Sequence, residues 1–497
     1  MPKTNITKAN MSFWAKFFYT RVSLQLSTCV YVGVQYNKLP ELSELYVALG
    51  RLVEENPPLG VNIFADGNVE VNCNEIKTKN GLAKPDPPQD VYAAQLKEIN
   101  FSQVVEDMKH LDIHDYEAVK TILQRRFEYG NFSKPLWRVH LLKDNWLVFC
   151  YDHAFLDGMS GANTQKKLAV ILNEMAKSSE TFQKNAIFEL KPYSAADNLG
   201  IINIYKAPEN TWGFATRQLL DSRVYPILKS SAKTVVSKLG LSPAWLGRLH
   251  TFQSNPKYVV QKNHFIDNYQ NVNISAKDTN KLIQLGKKNG SIGLNSLITA
   301  LISVSTKNAY VQEEQSVPFH FAISQRAKFK TDPESLGVII KTENVVSPVL
   351  KNNLVTPSGL NVYEFWSFAR GVNTEMATAI KSNNGLEKFN KLGLVDLVPS
   401  IKSKEGETPT LLFYHSNLSL QFQEKLFRDD DDLKYTIKNA VFNQSQVFSN
   451  NFTVSSIATV DGGINLQITY PDELIAESEN VILNFNTYYK DLLKSLK

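Results

Sequence analysis

The stretch Trp146-Leu-Val-Phe-Cys-Tyr-Asp-His153-Ala-Phe-Leu-Asp157-Gly158-Met-Ser-Gly161 decides how the chain is read. The apolar run Trp146 to Tyr151 has strand length. A short turn carrying Asp157 and Gly158 follows it, and then helical spacing begins, with Ala162, Leu168, Ala169, Ile171, Leu172 and Met175 on one side after Ser160. A strand-to-helix turn exposes side chains at the edge of a sheet, where a base can reach substrate. Upstream, Trp137 to Leu142 is a second strand, joined to the first around Lys143-Asp144-Asn145. The spacing His-x-x-x-Asp-Gly is expected roughly 0.02 times by chance at this composition, and the strand and helix around it supply the context that a motif needs.

The pattern continues on both sides. Phe13, Trp14, Phe17, Phe18 and Val22 predict a helix; Val22, Leu24 and Leu26 then alternate towards Val30, Val32 and Val34 as a strand. Leu42 to Glu54 is a second amphipathic helix, ended by Pro57-Pro58. Gly60 to Phe64 and Val69 to Val71 form a hairpin about Asp66-Gly67, and Tyr116 to Phe127 is helical. Residues 186–256, with five prolines between short apolar pieces, form a long crossover between halves. Beyond it, Ser275 and Asp278 cap a helix, and Leu294 to Val304 is a buried one. Val317 to Ser324 and Thr410 to Ser416 are strands. Phe452 to Thr459 pairs across Asp461-Gly462-Gly463 with the alternating Ile464, Leu466, Ile468 and Tyr470. A helix with Val481, Ile482, Phe485, Tyr489, Leu492 and Leu493 on one face closes the chain. The fold class is α/β, with α+β mixed sheets in two halves.

Composition narrows the class. The 497 residues exceed one ordinary domain, so two are expected: 1–185, carrying the histidine motif, and 186–497, the crossover plus a second half. With 43% hydrophobic and 21% charged residues the chain is globular; 27 Phe and 20 Tyr are enough for large cores and an apolar pocket. A net charge of +5, dispersed along the chain, does not suggest a nucleic-acid partner. Cys29, Cys73 and Cys150 match no disulfide framework or zinc pattern, so buried free thiols in a reducing compartment are expected, with no metal site. No stretch has the form of a secretory signal or a membrane span.

Pro135-Leu136-Trp137-Arg138-Val139, then a strand, then His153-Ala-Phe-Leu-Asp157-Gly158-Met-Ser160, resembles the coenzyme-A-dependent acyltransferase superfamily of chloramphenicol acetyltransferase, the plant BAHD enzymes and condensation domains. Within it the chain is most similar to fungal alcohol O-acetyltransferases. Further matches follow in order: the Phe17-Phe18-Tyr19 helix, a Val272-to-Lys287 helix, Leu294 to Leu301, Phe321-Ala-Ile-Ser-Gln-Arg326, and Ser416-Asn417. Asp152 stands where condensation domains carry the first of two histidines. The family's Ser-Asn-x-Gly reads Ser416-Asn417-Leu418-Ser419, without its glycine, and the plant Asp-Phe-Gly-Trp-Gly motif is absent.

The resemblance implies two chloramphenicol-acetyltransferase-like domains with the active-site channel between them. It also implies acetyl-CoA as co-substrate, no tightly bound cofactor, and direct transfer in a ternary complex. A neutral imidazole suits proton removal near pH 7, so His153 is assigned as general base towards the acceptor hydroxyl. Asp157 is implied to pair with an arginine of the second half; Arg326 is the foremost candidate, with Lys328 and Arg138 as alternatives. Gly158 permits close backbone approach. Ser416 and Asn417 are nominated for the oxyanion or acceptor wall, and His415 as structural.

The acceptor is expected to be a small or medium-chain alcohol, with an amine or amino alcohol, or a non-catalytic binding role, as rivals. A cytoplasmic monomer is expected. The Phe13-Trp14 stripe leaves peripheral contact with endoplasmic reticulum or lipid droplets open beside a core role. Asp429 to Asp432 is expected to be a solvated loop.

Overall fold

The computed structural model describes residues 8–65, 91–175, 186–190, 258–262, 268–382, 396–428 and 433–495. The turn at Asp66-Gly67, Cys73, nearly all of the 186–256 crossover and the run Asp429 to Asp432 lie outside the described residues.

Two mixed sheets organise the chain. The first has five strands in the order Ile437–Gln444, Cys29–Tyr36, Trp146–Asp152, Trp137–Leu142, Val105–Met108. Trp146–Asp152 lies at its centre, which is why the strand is buried along its whole length and reads as an unbroken apolar run. Its hairpin to Trp137–Leu142 turns on Asp144 and Asn145 at φ 55° and 65°, the left-handed pair that short antiparallel connections require and that Asp and Asn tolerate. The helix Gly158–Met175 lies on this sheet. Its Gln165 amide donates to the carbonyls of Val32 and Leu147, and Gly161 lets it approach: a Cβ there would stand 2.5 Å from the Tyr151 hydroxyl.

The second sheet has six strands in the order Asn268–Ile274, Gly463–Tyr470, Asn450–Thr459, Leu411–Leu420, Pro318–Ser324, Ile340–Val346. Leu294–Ser305, Val362–Lys381 and Ile475–Lys494 pack together against it and enclose the second core around Phe319, Phe365, Phe413 and Phe452. Ala276–Lys288 starts where its cap predicts, the Asp278 N–H donating to Ser275 Oγ at 3.2 Å.

The two halves are not separate in space. Ile437–Gln444, far along the second half of the chain, pairs antiparallel with Cys29–Tyr36 and forms an edge of the first sheet. The first core likewise takes in Leu418, Phe422, Tyr435 and Phe442.

Several sequence readings shift in detail. Val22 to Leu26 is the end of the first helix (Phe13–Ser23) and a turn, not a strand: the Gln25 and Leu26 N–H groups bond back to Val22 and Arg21. The helix at Tyr116 ends at Leu123, where the Gln124 N–H bonds back to the Lys120 carbonyl. Residues 272–274 close the strand Asn268–Ile274 rather than opening a helix. The strand from residue 411 runs on to Leu420, held in parallel by Asn450–Thr459. Trp14, Phe18, Tyr19 and Val22 of the first helix, and Val481, Phe485 and Leu492 of the last, are buried. No helix among the described residues is long and apolar enough to cross a membrane.

Candidate active site

His153 follows directly on the central strand of the first sheet. The turn beneath it is fixed by Asp152, fully buried, whose carboxylate accepts from the Ala154 N–H at 2.8 Å and the Tyr129 hydroxyl at 2.6 Å. Burial pushes the Asp152 pKa up to about 6, against the pull of those two bonds. Asp152 is thus a loop fastener and is not among the residues lining the cavity.

His153 itself is half-buried on the wall of a cavity of about 260 Å³ at the seam of the two sheets. Its ring stacks face to face on Phe18, with centroids 3.8 Å apart and planes 6° from parallel. Nδ1 is buried without a hydrogen-bond partner among the described residues. Burial first, and then the nearby Arg21 charge, lower the His153 pKa to about 4, so the imidazole is neutral at physiological pH.

Asp157 does not face the cavity. It is fully buried and accepts a bidentate pair from Arg326, Nη1 to Oδ2 and Nη2 to Oδ1, each at 3.0 Å. It also accepts from the Ile339 N–H at 2.8 Å and from the Ser160 N–H and hydroxyl at 2.8 and 2.9 Å. Arg326 is held in turn by the Ser335 carbonyl and Ser160 Oγ. Against the cost of burial, Arg326 and these donors hold the Asp157 carboxyl below its usual range. Of the three candidate partners only Arg326 reaches it. Arg138 donates to the Pro135 and Trp137 carbonyls, and Lys328 is exposed.

Gly158 is needed for contact across the seam. A Cβ there would meet Leu418 Cδ2 at 2.8 Å and the Phe442 ring at 3.3 Å. The close approach is thus between the start of the helix Gly158–Met175 and the second half of the chain.

Ser416 and Asn417 are not among the residues lining the cavity. Ser416 is buried beside the Tyr414 phenol, and Asn417 donates to Asn295 Oδ1 at 3.0 Å. Tyr414 does line the cavity. His415 is structural: its two ring nitrogens meet Thr299 Oγ1 at 2.8 Å and Ser456 Oγ at 2.9 Å, and burial lowers its pKa to about 3.

The absent family glycine has a physical trace. Ser419 sits at φ 62°, in the left-handed region, at a register shift of the strand, and its N–H donates to Asn417 Oδ1 at 2.6 Å. That local bond supports a conformation costing an L-residue about 1–2 kcal/mol. Ser419→Gly is therefore expected to stabilise the protein by about 0.5–1 kcal/mol, after its greater unfolded-state entropy is counted. A lower midpoint in thermal unfolding would show that the turn is not strained.

Two wall residues escaped the sequence reading. In the sequence Phe18 reads only as part of an apolar helix, and Arg21 does not stand out. The signal was spacing: Arg21 lies three and four residues after Phe18 and Phe17, on the same helix face.

A seam cavity with a neutral histidine at the end of a central strand, its neighbouring aspartate tied to the other half, belongs to a two-lobed acyltransferase fold of the chloramphenicol acetyltransferase and condensation-domain type. The TRI3 trichothecene 15-O-acetyltransferase from Fusarium sporotrichioides is similar over 98% of this chain and 94% of its own, at TM-score 0.62 and 10% identity. The epimerization domain from the third module of tyrocidine synthetase B is similar over 99% of this chain and 98% of its own, at TM-score 0.55 and 11% identity. The chain belongs to the alcohol acetyltransferase family, whose model matches residues 11–493. It is 25% identical to the N-acetyltransferase SLI1 of Saccharomyces cerevisiae, over 92% of this chain and 94% of that one. The protein is an acyltransferase.

Proposed function

We propose that the protein transfers the acetyl group of acetyl-CoA directly to an alcohol, with His153 as general base. The observation that carries this reading is the neutral imidazole on the cavity wall, beside an aspartate already saturated by Arg326 and backbone donors. In the proposed step the acceptor oxygen bonds to the thioester carbonyl carbon while its proton passes to His153. The tetrahedral intermediate then collapses, the C–S bond breaks, and the CoA thiolate leaves and takes the proton. Asp157 and Arg326 fix the turn and take no part in proton transfer. Tyr414, which lines the cavity with its phenol beside Ser416, replaces Ser416 and Asn417 as the proposed donor to the developing oxyanion.

An amine acceptor is the second reading, supported by the likeness to an N-acetyltransferase along most of both chains. Thiol release from acetyl-CoA with panels of alcohols and amines, followed by product analysis, separates the two. No thiol release with any acceptor would favour a binding role instead. The free, buried Cys29 and Cys150 suit a cytoplasmic setting, which we propose together with a monomeric state.

The pH profile adds a second discriminator. The His153 pKa is depressed, so its base form is present above about 4 and is lost as pH falls through that value. For an alcohol, kcat/KM is expected to rise through pH 4 and stay flat from about 6 upwards, since it reports the free enzyme's base. An amine substrate adds a second rise at its own higher pKa, because only the unprotonated amine attacks. An acid limb centred at 6.5 or above would contradict the environment assigned to His153.

A further inference from the structure

Arg21 points from the first helix (Phe13–Ser23) into the same cavity and is 5% exposed. Its guanidinium carbon lies 5.6 Å from the Phe17 ring centroid, 5.6 Å from that of Phe18 and 5.1 Å from that of Phe448. Nε is buried without a hydrogen-bond partner, and among the described residues Arg21 makes no ion pair. Among the described residues, none that lines the cavity is an aspartate or glutamate. Burial lowers its pKa only to about 10, so the group stays charged at neutral pH. Three aromatic faces offset part of the cost of burying this cation, yet they leave its Nε–H without an acceptor among the described residues. A guanidinium is a planar fork that matches a carboxylate in two parallel bonds.

Its distance from the chemistry identifies the source of the anion. Phe18 touches both groups: the Arg21 guanidinium carbon lies 5.6 Å from its ring centroid and the His153 ring centroid 3.8 Å from it. An anion on Arg21 is therefore a few bonds from the atom that His153 would deprotonate. The pyrophosphate of CoA is separated from its thioester sulfur by a pantetheine arm of roughly 16 Å at ordinary bond lengths. A thioester held at His153 would carry its phosphates well beyond Arg21. The cavity wall also holds apolar Trp14, Leu411 and Val447, together with uncharged polar residues such as Gln444, Ser445 and Ser449.

We infer that Arg21 is a carboxylate-binding subsite, and that the preferred acceptor is an apolar hydroxy or amino acid acetylated a few bonds from its carboxylate. This inference rests on the acetyl-transfer reading. The bidentate pair would hold the acceptor so that its hydroxyl or amino group meets His153. The same cation disfavours a protonated amine in the cavity, so an amino acid would be taken up only with its carboxylate paired to Arg21.

The test uses the full chain with acetyl-CoA and two matched pairs, leucic acid and its methyl ester, and leucine and its methyl ester, read by thiol release. In at least one pair the wild-type protein is expected to favour the acid by about ten- to a hundred-fold in kcat/KM, the range of charge-assisted hydrogen bonds to a buried cation. Arg21→Gln should bring that ratio close to one by raising KM for the acid, while KM for acetyl-CoA stays within about two-fold; Arg21→Lys should keep part of the preference. Equal or better use of the ester by the wild-type protein overturns the inference and needs no variant to fold. A selective rise in KM for acetyl-CoA in Arg21→Gln overturns it too, by assigning the residue to a phosphate. Thiol release with neither acids, esters nor simple alcohols would instead defeat the acetyl-transfer reading beneath it.

Discussion

His153→Ala is expected to lower acetyl transfer by about 10²–10⁴-fold, the usual contribution of a positioned general base. The fold should survive. The side chain is half-buried, and its Nδ1 makes no hydrogen bond that the substitution would strand. What is lost structurally is one stacked contact with Phe18, worth about 0.5–1.5 kcal/mol. Turnover should therefore collapse while thermal unfolding moves little. A variant retaining a large share of wild-type activity would remove His153 from the mechanism. A variant that failed to fold would be replaced by His153→Gln, which keeps the volume of the ring and cannot act as a base.

The opposite pattern is expected at the neighbouring pair. Asp157→Ala or Arg326→Ala leaves one fully buried charge without its partner, a defect of about 3–5 kcal/mol. Asp157→Asn keeps the shape but turns one acceptor oxygen into an NH2 donor that faces other donors, and it cannot neutralise Arg326, so it too should destabilise. Loss of activity in these variants should follow loss of stability. Because the pair ties residue 157 to residue 326, its removal also loosens the seam that forms the cavity wall. The double variant should be less costly than the sum of the singles, since it strands no charge. The acid sensitivity has a defined sign. The folded Asp157 pKa is depressed, so its contribution to stability is present above the unfolded value near 4 and is lost as pH falls through the folded one. If Asp157→Asn shifted only the pH optimum and left stability unchanged, the aspartate would belong to the chemistry.

The contrast between these two neighbours shows which parts of the site could be read early. His153 and Asp157 stand four residues apart on one turn, and a strand followed at once by a helix already sets their local geometry. Partner choice was different. Arg326, Lys328 and Arg138 offered the same charge, and only Arg326's place just after a strand put it first. Only the packed structure turns Arg138 to the Pro135 and Trp137 carbonyls, exposes Lys328, and brings Arg326 to Asp157. Ser416 and Asn417 were legible as polar residues on an apolar strand, but not their orientation. That depends on the parallel pairing with Asn450–Thr459 and on the irregularity between Asn417 and Leu420.

Elements whose signal is local came through well: the capped helix at Ser275, the Asp144-Asn145 hairpin, the closing helix and the central strand of the first sheet. Each depends on periodicity, a cap or a turn within a few residues. Strands whose partners lie far along the chain did not, and Ile437–Gln444 is the clearest case, because its place beside Cys29–Tyr36 spans some four hundred residues. Arg21 belongs with these. Its helix face could be computed from Phe17 and Phe18, but an amphipathic face does not say whether it meets core, membrane or cavity. The sequence by itself thus determined the strand-turn-helix unit, the histidine it carries and the class of fold, because short-range sterics and hydrogen bonding decide those. The tertiary structure alone decided which arginine pairs with Asp157, which face of the first helix lines the cavity and which polar groups reach it, because those follow from long-range pairing and the exclusion of water at the seam.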